Sequence, residues 1–159
     1  MACEVPVRAR ELAARLAALF VADSQLAARL SDAQHRLLGA NDRLGSALQR
    51  ADALGLVSGE ARRLAAGNSA IAERTIDALG AGDGPGDVKT AMVRALQRAH
   101  WTIRRSFIDY QSAYEERRQL AVDVGELSQQ LIEALCAVGW SEQAARRADV
   151  HELAGTGAR

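Results

Sequence analysis

The feature that most constrains the fold is a repeat of mostly apolar residues near the start of the chain, in which steps of four and three residues alternate. Its positions are Leu12, Leu16, Leu19, Asp23, Leu26, Leu30, Ala33, Leu37, Ala40, Leu44, Ala47, Ala51 and Leu54. A seven-residue repeat kept over many turns favours long helices that pack as a left-handed coiled coil. We therefore predict a helix over residues 8–54, with a break near Gly39 as the alternative, because glycine weakens a helix.

A second stretch of similar length follows a glycine-rich break. Residues 88–138 contain no proline and only one glycine, so we predict one helix throughout. The preceding segment 80–87, GAGDGPGD, is predicted to be a flexible loop. Because the two long helices are similar in length, the predicted fold is all-α, with a long antiparallel coiled-coil-like helical hairpin.

Shorter helices complete the predicted fold. A middle helix is expected over residues 60–79, with an interruption at residues 67–69, where Gly-Asn-Ser stands. A short C-terminal helix is expected over residues 141–154, because a serine stands at its start as a cap. Residues 155–159, GTGAR, are expected to form a loose tail.

Composition narrows the class of protein. At 159 residues we expect a single helical domain over residues 1–159. Its 20 basic and 20 acidic residues balance, which argues against a mainly phosphate-driven nucleic-acid binder. Cys3 and Cys136 are far apart and indicate reduced thiols in a cytoplasmic protein. No segment is apolar enough for a membrane span. The alanine- and arginine-rich usage is typical of bacteria with GC-rich genomes.

The apolar side of the second long helix defines its predicted core. At 100° per residue, one side carries Val88, Met92, Leu96, Ala99, Ile103, Phe107, Tyr110, Tyr114, Ala121, Val124 and Leu135. Aromatics make up only 4% of the chain, so this core is thin. A hairpin with so thin a core exposes much apolar surface, and a second copy would cover it. We therefore expect a homodimer.

One charged residue interrupts each apolar seam. Asp23 lies in the first seam and Arg117 in the second. An antiparallel hairpin that sets Leu54 level with Val88 places Asp23 within one turn of Arg117. We predict a buried Asp23–Arg117 ion pair beside Tyr110 or Tyr114. The alternative is a pocket in which Arg117 binds a small anionic ligand and the tyrosines orient it.

Trp101 lies on the side of the second helix away from the predicted core. Ile108 follows two turns later, and three arginines surround the tryptophan: Arg94, Arg98 and Arg105. A tryptophan flanked by arginines on an outward face is typical of a protein interface. The simplest expectation is that the chain itself, or its dimer copy, covers Trp101. Binding of a foreign partner protein is the alternative.

Residues 135–155 resemble the first half of a repressor-type helix-turn-helix. The matching positions are Gly139, Ser141, Ala145, Ala148 and Val150. In that family a recognition helix follows and enters the major groove, whereas here only a short segment remains. A different alignment makes residues 141–154 the recognition helix and presents Gln143, Arg146 and Arg147 to nucleic acid. The resemblance implies a DNA-binding transcriptional regulator as an alternative function.

No pattern typical of an enzyme is found. His35, His100 and His151 lie on separate segments, and no paired spacing for a metal ion occurs. We therefore predict no catalytic residues, no metal and no cofactor. The sequence favours a non-enzymatic helical interaction protein, meaning a scaffold, adaptor or small regulator, that pairs with itself and binds another protein.

Overall fold

A computed structural model describes residues 5–82 and 86–155. Cys3, residues 83–85 of the predicted loop and residues 156–159 of the predicted tail lie outside the described residues. The helices are α1 Val7–Ala53, α2 Gly59–Gly67, α3 Ser69–Ala81, α4 Asp87–Cys136, α5 Glu142–Arg146 and α6 Val150–Gly155. The described ranges contain no strand, so the predicted all-α fold is confirmed.

The two long helices form the predicted antiparallel pair. Asp23 on α1 contacts Arg117 on α4, and further along α1 Arg29 contacts the earlier Glu116. The predicted alternative of a break near Gly39 is wrong, because α1 runs through this residue without interruption. Arg43 Nε donates to the Gly39 carbonyl at 2.9 Å, and Ala40 beside it is fully buried. Packing of the following turn therefore outweighs the low helix propensity of glycine.

Both long helices end in the same way. Gly55 has φ +68° and Gly139 has φ +94°, a left-handed conformation that glycine adopts without a Cβ penalty. The N–H of Leu56 donates to the Ala51 carbonyl at 2.9 Å, and that of Trp140 to the Leu135 carbonyl at 3.2 Å. These bonds satisfy carbonyls that the helix end leaves unpaired.

The middle helix is interrupted where the sequence predicts. Between α2 and α3, Asn68 adopts an extended conformation, and its side chain accepts hydrogen bonds from the N–H groups of Ala70 and Ile71. Asparagine is a favoured residue at this capping position. Helix α3 continues to Ala81, so the first residues of the predicted loop 80–87 are helical instead.

The predicted single C-terminal helix over residues 141–154 is wrong. Ser141 caps α5 as expected, through a hydrogen bond from the Ala144 N–H at 3.2 Å. However, α5 ends at Arg146, and the Asp149 carboxylate accepts the N–H of His151 at 2.8 Å at the start of α6. The Asp149 cap favours the start of a new helix and so competes with continuation of α5. Gly155, predicted to begin the loose tail, belongs to α6.

Tertiary contacts divide the chain into two compact units. The central unit comprises the described residues of Leu30–Gln111, and the terminal unit those up to Arg29 and from Ser112 onward. In the central unit, α1, α2, α3 and α4 surround a core that includes the fully buried Leu48 and Leu96. In the terminal unit, α5 and α6 pack with α1 and α4. The prediction of a single domain stays a prediction.

The predicted core side of α4 is partly wrong. Phe107 is 48% exposed and Tyr114 is 54% exposed, and Val88 and Ala121 are exposed as well. Ser106 at 2% and Ala113 at 0% occupy the seam instead. The straight 100° count drifts by about 20° per heptad from the coiled-coil repeat. Along α4 this drift accumulates, so the predicted core side included Phe107 and Tyr114 where the buried residues are their neighbours Ser106 and Ala113.

Candidate functional site

The structure brings Asp23 and Arg117 together in the terminal unit. Arg117 Nε donates to Asp23 Oδ1 at 2.6 Å, and Nη2 donates to Oδ2 at 3.1 Å. The side chain of Arg117 is 45% exposed and that of Asp23 is 39% exposed, so the prediction of a buried pair is wrong. Both residues are long or polar enough to reach past the thin seam into water, and this relieves the cost of desolvating them.

A second ion pair lies beside the first. Arg29 Nη1 donates to Glu116 Oε2 at 2.7 Å, and the Ser112 hydroxyl donates to Glu116 Oε1 at 2.9 Å. Hydrogen bonds from Arg29 and then Ser112 hold the pKa of the Glu116 carboxyl below its ordinary value. The hydrogen bond from Arg117 lowers the pKa of Asp23 in the same way, while Asp23 raises the pKa of Arg117.

The site around the Asp23–Arg117 pair is poorly suited to bind the predicted anionic ligand. The guanidinium of Arg117 already binds both oxygens of a carboxylate, so a ligand would have to displace Asp23. Tyr114 is 54% exposed, and Tyr110 belongs to the central unit and is half-buried. The geometry therefore favours the structural alternative, in which the pair fixes the register of α1 against α4.

The face around Trp101 differs from the Asp23–Arg117 contact in how its arginines are paired. Trp101 is 60% exposed and Ile108 is 62% exposed. The chain itself therefore does not cover Trp101, and the expectation that a dimer copy covers it stays a prediction. Helix α3 instead meets α4 around its neighbour His100. The Arg105 guanidinium lies 5.2 Å from the centre of the tryptophan ring, in cation–π range. Within the described ranges, Arg94 and Arg98 form no salt bridge.

An open groove runs beside Trp101 in the central unit. Its volume is about 1010 Å³, and all residues that line it belong to α1 and α4. The α1 wall carries Arg43 and Arg50, which sequence reasoning missed. They stand seven residues apart, on either side of the seam residue Ala47, so the heptad pattern contained the signal. The charged residues of the smaller groove in the terminal unit, about 390 Å³, are two acids and one base: Asp123, Glu126 and Arg15.

Sequence reasoning also missed a buried histidine contact. His100 is 7% exposed, and its Nε2 lies 2.8 Å from the hydroxyl and 3.1 Å from the carbonyl oxygen of Ser69. In the tautomer that carries the proton on Nε2, this nitrogen donates to the carbonyl, which can only accept. The contact therefore holds the start of α3 against α4.

The residues predicted to contact DNA do not share one helix. Gln143 and Arg146 lie in α5, whereas Arg147 is the capping residue that follows the end of that helix. Arg146 is also engaged by Glu142, with its Nη2 at 2.7 Å from the carboxylate. A helix as short as α5 spans about 7.5 Å at 1.5 Å per residue. The continuous recognition helix that the DNA-binding alternative needs is absent from the described residues.

Neither a metal site nor a membrane-spanning helix is found among the described residues. In the part of the chain that the structure describes, no group of three or more histidine, cysteine or acidic residues could hold a metal ion. Nor does any helix there have the length and apolar character that crossing a membrane requires. No family model, curated protein or solved structure matches the chain.

Proposed function

We propose that this chain is a non-enzymatic helical interaction protein, a scaffold, adaptor or small regulator of the cytoplasm. In this proposal it acts as a homodimer, with Ile108 in the dimer contact, and binds another protein through the rest of the predicted face, Arg94, Arg98, Trp101 and Arg105. The observation that carries the proposal is the exposure of Trp101, at 60%, among arginines that form no salt bridge with any residue that the structure describes. Tryptophan and arginine are the residues that most often dominate binding energy in protein interfaces.

The dimer contact is proposed on the neighbouring part of α4. Phe107 is 48% exposed and Ile108 is 62% exposed, and they form an apolar pair at the surface of the central unit. Large contiguous apolar patches are uncommon on monomeric proteins and often mark interaction sites. A second copy that packs on this pair would remove both from water and leave the groove beside Trp101 open.

Solution mass tests the dimer. Light scattering over a range of concentrations should give twice the chain mass for the native protein. Ile108→Ser should weaken the dimer by about tenfold or more, the equivalent of 1.4 kcal/mol. Leu64→Ser is the matched control, because Leu64 is 51% exposed on α2 and should leave the mass unchanged. A native chain that is monomeric at every concentration would show that the dimer proposal is wrong.

A further inference from the structure

The groove of the central unit is long enough to hold a helix of about four turns. On α4 it extends from Val88 to Thr102, fourteen residue steps, which is about 21 Å at 1.5 Å per residue. Its lining includes Ala47, Ala95 and Ala99, whose side chains are small enough to allow another helix to approach closely. A long groove lined by alanines fits a helix better than it fits a compact small molecule.

The groove is also the uncovered side of a bundle. Helices α1, α3 and α4 share the central core, and α3 contacts α4 through the Ser69–His100 and Glu73–Arg104 pairs. No residue of α2 or α3 lines the groove. A further helix laid there would contact α1 and α4 together, and would complete the bundle around them.

The charges around the groove decide what kind of helix fits. Three guanidinium groups line it, those of Arg43, Arg50 and Arg98, against one carboxylate, that of Asp42. Within the described ranges none of the three arginines forms a salt bridge, whereas Arg36 and Arg104 of the same unit do. The groove therefore offers unpaired positive charge on both walls, with apolar surface between them.

We propose that this groove binds an amphipathic helix of a partner protein, whose apolar stripe is flanked by glutamate or aspartate residues. The stripe packs on the alanines, and its edge is covered by the ring of Trp101. The flanking carboxylates pair with Arg43 and Arg50 on one wall and with Arg98 on the other. This inference rests on the proposed function, since it names the kind of partner that the Trp101 face accepts.

Isothermal titration calorimetry with the full chain tests the inference. The probe is a helical peptide of about 16 residues, long enough to cover the groove, with leucine and alanine on one side and glutamate along both edges. The matched probe carries lysine at every glutamate position. We expect the glutamate peptide to bind with a Kd in the micromolar range and the lysine peptide to bind at least about a hundredfold more weakly.

Variants of the chain locate the binding. Arg50→Ala with Arg98→Ala should weaken the glutamate peptide by about tenfold or more and reduce the dependence of Kd on salt. Ala91→Trp, at an exposed position that lines the groove, should block the peptide without disturbing the core. Arg63→Ala with Arg147→Ala removes two exposed arginines outside the groove and should leave the Kd unchanged. Thermal melting of each variant verifies that it is folded.

The outcomes separate this inference from the proposed function. Equal binding of the lysine peptide, or equal binding by the Arg50/Arg98 variant, overturns the acidic helix but leaves a protein-binding face. If Ala91→Trp turns a native dimer into a monomer, a second copy occupies the groove and the inference is wrong. Binding of a single-stranded oligonucleotide with the same arginine dependence also overturns it. A native chain that is monomeric and binds no peptide would contradict the proposed function as well.

Discussion

The central and terminal units are assembled from the same parts, and each contains one of the two tryptophans. In each unit a long helix ends at a left-handed glycine, an apolar residue folds back, and a serine caps the next short helix. Trp140 is the residue that folds back in the terminal unit, and it packs against that core. Trp101 lies in the middle of α4 in the central unit and is 60% exposed.

The difference shows which part of a structure is determined locally. The cap that places Trp140 depends on residues within one turn of it, namely Gly139 and Ser141. Whether Trp101 is covered depends instead on which side of α4 the distant helix α3 contacts. Trp140 is therefore part of a core, whereas Trp101 stays exposed and is the residue to which the proposed function assigns binding.

Truncating a buried leucine in either core should lower the free energy of unfolding more than any other change proposed below. Leu96→Ala in the central unit and Leu135→Ala in the terminal unit each remove a fully buried side chain. Each should lower the free energy of unfolding by about 2–5 kcal/mol, from lost burial and the cavity that is left. Urea unfolding measures the loss, and hydrogen exchange shows in which unit it is greatest. Leu54→Ala is the control, since Leu54 is 54% exposed; an equal loss there would contradict the assignment of the cores.

The two glycine caps should give the next largest effect. Gly55→Ala and Gly139→Ala force alanine into a left-handed conformation, which costs about 1–2 kcal/mol. A Cβ at either position would meet nothing within 4 Å, so the backbone alone sets the cost. Gly45 and Gly125 are matched controls inside α1 and α4, with equally open surroundings. Alanine there should stabilise by about 0.5–1 kcal/mol, and thermal unfolding should show shifts of opposite sign.

These caps also mark how far the sequence could predict the fold. The heptad steps from Leu12 to Leu54 place α1, and Gly139 followed by Ser141 places the end of α4, because each signal acts within a few residues. Phe107 was placed in the core because a small error in the angle per residue grows along a helix of 50 residues. The split between α5 and α6 was missed because Asp149 was not considered as a cap.

The candidate site was predictable only in part. The Asp23–Arg117 contact follows from the register of two helices, which the interrupted seams reveal. The exposure of this ion pair does not follow from the register, because it depends on how thin the apolar seam between the helices is. The groove was missed because it joins Arg43 and Arg50 on α1 to Arg98 on α4. Residues so far apart in sequence line one groove only once the helices have packed.

Removing the serine caps should cost about as much in one unit as in the other. Ser58→Ala at α2 and Ser141→Ala at α5 each remove the hydroxyl that accepts a backbone N–H, at 3.1 and 3.2 Å. The expected loss is about 1 kcal/mol for each, measured by chemical unfolding. Ser58→Asp and Ser141→Asp retain a capping oxygen and should restore most of the loss. A loss that aspartate does not restore would show that the serines act through packing rather than capping.

The ion pairs of the terminal unit should produce the smallest effect, visible as a dependence on pH. The lowered pKa of Asp23 means that its pairing with Arg117 stabilises the fold fully above the ordinary value of 3.8. This stabilisation is lost as the pH falls further, through the lowered pKa. Because both side chains remain about 40% exposed, water and salt weaken the attraction, and we expect less than a core leucine contributes.

The comparison of Asp23→Asn with the native chain isolates this pair. The difference between their unfolding midpoints should be greatest near neutral pH, and should shrink toward zero as the pH is lowered past the titration of Asp23. Asp32→Asn removes an exposed carboxylate in the central unit and should give a difference that does not follow this course. Carboxyl chemical shifts in NMR titrations report the pKa of Asp23 directly. A value at or above 3.8 would mean that Arg117 does not hold the carboxylate in solution, and the pair could then not fix the register of α1 against α4.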